Sequence, residues 1–414
     1  METRASKVWL VAAAVVVGCV AAAIPSLLSR ASAPSVVGSV RMAPAVGMPG
    51  APPTSIEGLQ QRITEMEKRL REQPGDAAAS VLLADALLRQ QRATVDGRAA
   101  NRAASILEDV LKREPGQYDA LRLLGAVRLS RHQFRDALDI GRRARDARPD
   151  DAWNYGVIGD ALLELGEYDD AYDAFDRMAA LRPNADAYAR ISYARELRGD
   201  IAGALTVMQM AANATPAHDV EAKAWYVAHV GELYLQLVKP DDAEREFRHA
   251  TFYFPDYPHA MIGLAKLKVA RGDRSGAREA FLAQFKRTPT LDLAARIGDL
   301  FRAEGDAGQA ERYYQLAEEL AGPAIAQTEP AFAMFLAERD RKLPEALRIA
   351  ESVSAIRHDI FTDDALGWAL YKAGRIPEAC AAAKRALRTG SGDPRIREHA
   401  AASCQRAATG HPST

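Results

Sequence analysis

Seven prolines punctuate this chain at a nearly constant interval. Pro115, Pro149, Pro183, Pro216, Pro255, Pro289 and Pro323 are separated by 34, 34, 33, 39, 34 and 34 residues. A fixed period of that length means a stack of supersecondary units, and it constrains the fold more than any composition statistic. Three further columns keep the same rhythm. Alanines stand about one third of a period before the prolines, at Ala103, Ala137, Ala171, Ala204, Ala243, Ala277 and Ala310. Small residues precede those alanines by a similar distance, at Gly125, Gly159, Ser192, Gly231, Ala265 and Gly298. A bulky column follows the alanines at Phe175, Met208, Phe247, Phe281 and Tyr314.

Each column has a mechanical reading. A glycine on one helix and an alanine on the next let two antiparallel helices approach at the short end of the usual interaxial distance, roughly 8–10 Å. The bulky residue plugs the groove beside that contact, and proline stops the second helix. The turn between the two helices reads as Gly166-Glu167-Tyr168 and as Gly374-Arg375-Ile376. The pattern predicts an all-α superhelical solenoid of antiparallel helix pairs.

These residues resemble the tetratricopeptide repeat (TPR) family. Trp153 to Pro183 follows its pattern almost throughout, residues 360–387 follow it nearly as well, and the resemblance extends over about 77–408. It implies about nine repeats over 77–392. Three places depart from the pattern. The first repeat's interhelical turn is stretched around Arg92–Arg98, there is a second expansion at Ala217–Ala222, and Pro344 falls where the eighth repeat's second helix begins, a position a first turn accepts. An apolar stripe of Ile56, Leu59, Ile63, Met66 and Leu70 predicts a capping helix within 55–76, with a short coiled coil as the alternative. Residues 393–408 read as a C-terminal capping helix and 409–414 as a tail.

Before the repeats, Arg4 and Lys7 precede an apolar run from Val8 to Ile24. A helix from Val8 to Leu28 would span about 30 Å, one hydrocarbon core. Residues 1–30 therefore read as a signal anchor or signal peptide. The rest of the chain is then extracytoplasmic, on a single-pass protein of a bacterial inner membrane. The alternatives are cleavage, which leaves a secreted or periplasmic protein, and a lipoprotein with its lipid on Cys19. Residues 31–54, rich in Ala, Pro and Gly, read as a flexible linker.

Composition excludes several functions. A formal net charge of -1 offers no global field for nucleic acid. The three cysteines, Cys19, Cys380 and Cys404, form no CxxC pair, so zinc ribbons and thioredoxin-type motifs are out. The sequence leaves open whether Cys380 and Cys404 join. No phosphate-binding, dinucleotide, zinc-protease or serine-hydrolase motif occurs, and the repeats leave no room for a catalytic domain. No enzyme, cofactor or metal site is expected. His218, His229, His249 and His259 fall on different elements and read as ordinary polar histidines. The arginine-rich stretch from Arg128 to Arg148 is interleaved with Asp136, Asp139 and Asp146 and reads as a solvated face.

In TPR proteins the first helices line a concave groove that receives a partner segment. Carried onto this sequence, the resemblance implies a partner-binding stripe of Trp153, Asp160, Glu164, Tyr193, Glu196, Trp225, Glu232, Asp299, Arg302, Phe361, Trp368 and Tyr371. Asp119, Arg122, Leu129, His259, Lys266 and Asp364 lie along it. The competing reading is that the tryptophans only pack between neighbouring first helices. The positions that clamp a chaperone's C-terminal carboxylate carry Arg122 and Ala126, or Gly156 and Asp160, so chaperone tails are not expected to bind. The function implied is a non-enzymatic adaptor that holds partner proteins during assembly of an envelope complex. The alternatives are a passive or oligomeric spacer and a cytochrome c maturation-type assembly factor, to which Arg62–Asp76 is similar.

Overall fold

Six of the seven periodic prolines, all but Pro323, stand just beyond helix ends in the structure. A computed structural model describes residues 56–94, 97–216 and 218–409. The expectations for residues 1–54, Cys19 among them, lie outside the described residues, as does the tail from 410. Among the described residues there are twenty helices and no strand. Helix α1 (Ile56–Glu72) packs on α2 (Ala77–Thr94), its buried face formed by Leu59, Ile63 and Met66. Nine helix pairs then follow. They are α2 with α3 (Gly97–Arg113), α4 (Tyr118–Ser130) with α5 (Phe134–Ala147), α6 (Ala152–Leu165) with α7 (Tyr168–Leu181), and α8 (Ala185–Leu197) with α9 (Ile201–Ala214). Next come α10 (Val220–Gln236) with α11 (Pro240–Tyr253), α12 (Pro258–Ala270) with α13 (Arg274–Arg287), and α14 (Leu291–Ala303) with α15 (Ala307–Thr328). The last two pairs are α16 (Pro330–Glu338) with α17 (Leu343–Ser354), and α18 (Ile360–Lys372) with α19 (Ile376–Ala386), and α20 (Pro394–Thr409) closes the series.

Within a pair the small and bulky columns meet. A Cβ added to Gly159 would lie 2.4 Å from the Phe175 ring and 3.2 Å from the Ala171 carbonyl oxygen. Phe247, fully buried, is held between Gly231 and Gly263, where added Cβ atoms would come within 2.7 and 2.2 Å of its ring. So one aromatic ring joins the helices of its own pair to the first helix of the next.

The pairs end by a repeated device. The residue after the first helix takes a left-handed conformation, and its amide and the next one bond back to the helix's last turn. Gly166 does this with φ 85°, its amide 3.0 Å from the Leu163 oxygen and that of Glu167 2.9 Å from the Leu162 oxygen. His132, Val238 and Asp340 occupy the same position with φ 57°, 57° and 54°. Second helices open on side-chain or proline starts, with Asp200 accepting from the Gly203 amide and Pro240 and Pro344 in the first turn.

Three expectations need correction. Pro323 does not end its helix, because α15 runs on to Thr328 and Pro330 opens α16. A proline inside a helix forfeits one hydrogen bond, and the buried Ala317 and Ala321 hold α15 to its neighbours. The stretch at Arg92–Arg98 is mostly helix rather than loop: α2 continues to Thr94 and α3 starts at Gly97. The expansion at 217–222 likewise lengthens the start of α10. These two additions meet. Arg92 pairs with the buried Glu221 at 2.9 Å, and Arg89 with Asp219 at 3.3 Å. The first repeat is thereby fastened to the fifth.

Cys380 and Cys404 form a disulfide, with Cα atoms 4.7 Å apart, that ties α20 to α19.

Candidate partner-binding face

The first helices of successive repeats lie side by side, so residues about one repeat apart become neighbours across them. Four of the five carboxylates of the expected stripe meet cations or polar groups there. Asp160 on α6 receives a bidentate hydrogen bond from Arg190 on α8, at 2.7 Å on the closest pair. Glu196 on α8 meets His229 of α10 at 3.2 Å, and also accepts from Gln236. Glu232 on α10 accepts from Lys266 of α12 at 2.8 Å. Asp299 on α14 takes the fork of Arg339, with 2.6 and 2.9 Å contacts, and the Tyr314 hydroxyl. Asp340 and Lys372 repeat the arrangement at 2.7 Å. The result is a ladder of polar contacts joining successive first helices, or in the case of Arg339 and Asp340 the turn that follows one.

Glu164 is placed differently. It accepts from Arg357 at 2.8 Å, a residue of the loop between α17 and α18. Burial pushes its carboxyl up to about 7, against the pull of Arg357. Burial also raises Asp160, with Arg190 opposing it, and raises the Tyr193 hydroxyl well above its ordinary value. For Glu196, burial acts upward, but the hydrogen bond from His229 and its charge outweigh it, and the net shift is down. His259 is exposed by its accessible surface, yet burial lowers its pKa.

The three tryptophans differ. Trp153 leans on the preceding first helix, its Nε1–H donating to the Arg122 oxygen at 3.3 Å under the Arg122 guanidinium. Trp368 is sandwiched between Tyr371 and His399 of α20, with ring centroids 4.8 and 4.0 Å away. For these two, contact with neighbouring helices is what the ring does. Trp225 is half-buried, and its ring contacts are residues of its own helix, His229 stacked at 5.6 Å and Tyr226 edge-on at 5.1 Å. Arg302 is exposed with its guanidinium 4.8 Å from the Tyr314 ring centroid, Phe361 is half-buried beside Tyr168 and Leu165, and Tyr371 lies under Arg406. The stripe therefore concentrates its available aromatic and polar groups on α8, α10 and α12, around Trp225.

Sequence reasoning missed the cations of the ladder, Arg190, Arg339 and Lys372. Their signal was present, as opposite charges about one period apart on one helix face. The four clustered histidines do not converge: His229 faces Glu196, His249 lies by Glu246 and His259 by Tyr257. No group of side chains suited to a metal occurs among the described residues.

A sequence model of the tetratricopeptide repeat family matches residues 95–152 and 157–219. No curated protein sequence matches the chain. Among solved structures, the APC/C hetero-tetramer Cut9–Hcn1 aligns with a TM-score of 0.51 at 15% identity, over 84% of this chain and 60% of that one. The chain thus spans less than two thirds of that relative's length. A human IFIT1 dimer with PPP-AAAA aligns at 0.52 and 17% identity, over 81% of this chain and 79% of that one. At such identities the likeness is one of fold.

Proposed function

We propose that this chain, a tetratricopeptide-repeat protein, is a scaffold that holds partner proteins against the inner face of its first helices, from a membrane tether at residues 1–30. Helical repeats of this type are typically protein–protein interaction scaffolds, and the family match and the solenoid support that much directly. The observation that carries the site is Trp225. It is a large, half-buried ring on α10 without a partner ring from another helix, stacked on His229, which in turn meets Glu196. An extended or helical segment with an apolar anchor and basic residues fits that chemistry. Truncating a hot-spot aromatic costs about 2 kcal/mol or more, roughly thirtyfold in affinity. Trp225→Ala is expected to keep its helical circular dichroism and melting temperature while losing partners crosslinked in membranes. A variant that melts early, or keeps all its crosslinks, refutes this site.

The extracytoplasmic placement is part of the proposal. The basic head and apolar run of residues 1–30 support it, and so does the Cys380–Cys404 bond, since disulfides persist in oxidising compartments. The protein is then anchored in a bacterial inner membrane, or released by cleavage, or lipidated at Cys19, and serves assembly of an envelope complex. An export-dependent reporter fused at Thr54 is expected to be active. Activity of a cytoplasmic reporter there instead would put the repeats on the other side.

A second reading has its own observation. The inner carboxylates already have partners on neighbouring helices, which is what a passive spacer using only its ends would show. Retention of every partner by Trp225→Ala favours it.

A further inference from the structure

The ladder has one rung that differs in kind. Asp160, Glu232, Asp299 and Asp340 are met by Arg190, Lys266, Arg339 and Lys372, cations that keep their charge across the physiological range. At Glu196 the place of the arginine or lysine is taken by His229, whose Nε2 lies 3.2 Å from the carboxylate. Histidine is the side chain that gains and loses its charge between about pH 5 and 8. The second donor at Glu196, the Gln236 amide at 2.5 Å, is neutral. The charge on this carboxylate is therefore balanced at low pH and unbalanced at high pH, which no other rung named here allows.

The same histidine reaches the proposed binding ring. Its imidazole stacks on Trp225 at 5.6 Å with 16° between the planes, so one side chain touches both the ring and the carboxylate. Solvent reaches both members of the rung, with 26% of the His229 side chain and 18% of that of Glu196 exposed. The charged and titratable groups around them are otherwise occupied or neutral. Glu232, one turn along α10, is engaged by Lys266 of α12. Burial favours the neutral form of His259 on α12 and of the Tyr193 hydroxyl on α8. At the start of α10, Asp219 and Glu221 hold Arg89 and Arg92 of α2, while α9 carries no titratable side chain and His249 of α11 lies by Glu246 of its own helix.

We propose that His229 makes binding at Trp225 proton-dependent. Loss of its proton leaves Glu196 with an uncompensated charge beside the ring, and a basic residue of the partner segment takes that charge up. Protonation gives the carboxylate its own cation and turns the basic residue away. This rests on the reading that Trp225 receives a partner segment, and it adds the regulation of that site. The sign follows from the competition, so binding strengthens as pH rises. A partly exposed pair of this kind changes affinity by about three- to fivefold.

The test is photo-crosslinking of the full-length protein in membranes labelled with photo-leucine, at pH 6 and pH 8, a reaction that does not itself need a titrating group. Wild type is expected to capture its partners about three- to fivefold more strongly at pH 8. The ratio should fall to near one in His229→Gln, which keeps an amide donor for Glu196 but carries no charge. It should do the same in His229→Lys, which makes this rung like that of Glu232, with capture at the wild type's pH 6 level throughout. Should either variant lose its helical circular dichroism, Glu196→Gln, which removes the carboxylate itself, takes its place with the same loss of the ratio. A wild-type ratio of one or below, or a ratio that survives in His229→Gln, overturns the proposal. Trp225→Ala reports on the underlying reading separately. Partners that persist in it sink the site, and its regulation with it. Partners lost in it while the wild-type ratio stays near one leave the site standing and remove only the proton dependence.

Discussion

Val238 illustrates how much the repeat tolerates at single residues. It holds the left-handed position after α10 with φ 57°, a conformation glycine takes in five of the other turns and one that a β-branched side chain strains to adopt. Its side chain is 85% exposed, so nothing from packing repays that strain. Val238→Gly is expected to raise stability by about 1 kcal/mol, read as a higher midpoint in urea. No gain would mean that the turn's two hydrogen bonds absorb the strain. Gly159 is the opposite case, because space and not backbone conformation demands it. With Phe175 already within reach of a Cβ, Gly159→Leu is expected to cost about 1–3 kcal/mol or more through overpacking. The loss should spread to α4–α9, since repeat arrays couple neighbour to neighbour. An unchanged melting curve would contradict the helix contact described here.

At the scale of elements, two joints decide how the ends of the array behave. The contact between the turns after α4 and α6 and the loops before α16 and α18 holds Glu164, raised to about 7 mainly by burial, and His132, raised first by its hydrogen bond to Glu329. Both groups bind protons more tightly in the closed structure than in an open chain. Their contribution is therefore complete below their ordinary values of about 4.5 and 6.5, and it is lost as pH rises through the folded ones. Around Glu164 stand Arg357, Asp359, His132 and Asp160, and Arg357 also meets Asp359 at 2.6 Å. Exchange at His358 and Ile360, corrected for intrinsic rate, should then be slower at pH 5.5 than at pH 8, and Glu164→Gln should flatten the difference. A slope of the other sign would place the charged form of Glu164 at this contact. The second joint is the disulfide. Its loss typically costs about 2–4 kcal/mol, so reductant should lower the melting temperature of the wild type and leave Cys380→Ser unaffected. Equal curves for wild-type protein with and without reductant would show that α20 stays docked unaided.

For the whole molecule, the places where the repeat is irregular make a long-range contact of their own. The two expansions that interrupt the period, near residues 92–98 and 217–222, lengthen α2 and α10 and bring Arg89 and Arg92 to Asp219 and Glu221. Each insertion breaks the local pattern, and together they form a contact. Arg92→Ala would leave Glu221, almost wholly buried, without its counter-charge. That change is expected to cost about 3–5 kcal/mol, whereas Arg92→Ala combined with Glu221→Gln should recover most of the loss. Failure of the pair to recover would mean that the arginine acts through packing alone.

What the sequence determined by itself is everything that repeats. The helix pairs, the glycine–aromatic contacts and the proline stops other than that at Pro323 depend on neighbours within one period, and successive periods state them again. The stripe of first-helix residues was legible for the same reason, since one helix face recurs at a constant offset. Three features were decided only by tertiary structure. Glu164 faces Arg357 from 193 residues away, ladder cations meet carboxylates of the stripe, and Trp153 and Trp368 have partners on other helices while the ring partners of Trp225 are on its own. The meeting of early and late repeats depends on the small rotation from each repeat to the next, summed over several repeats. A local pattern sets each step only approximately, so the sum emerges only once the whole array is assembled.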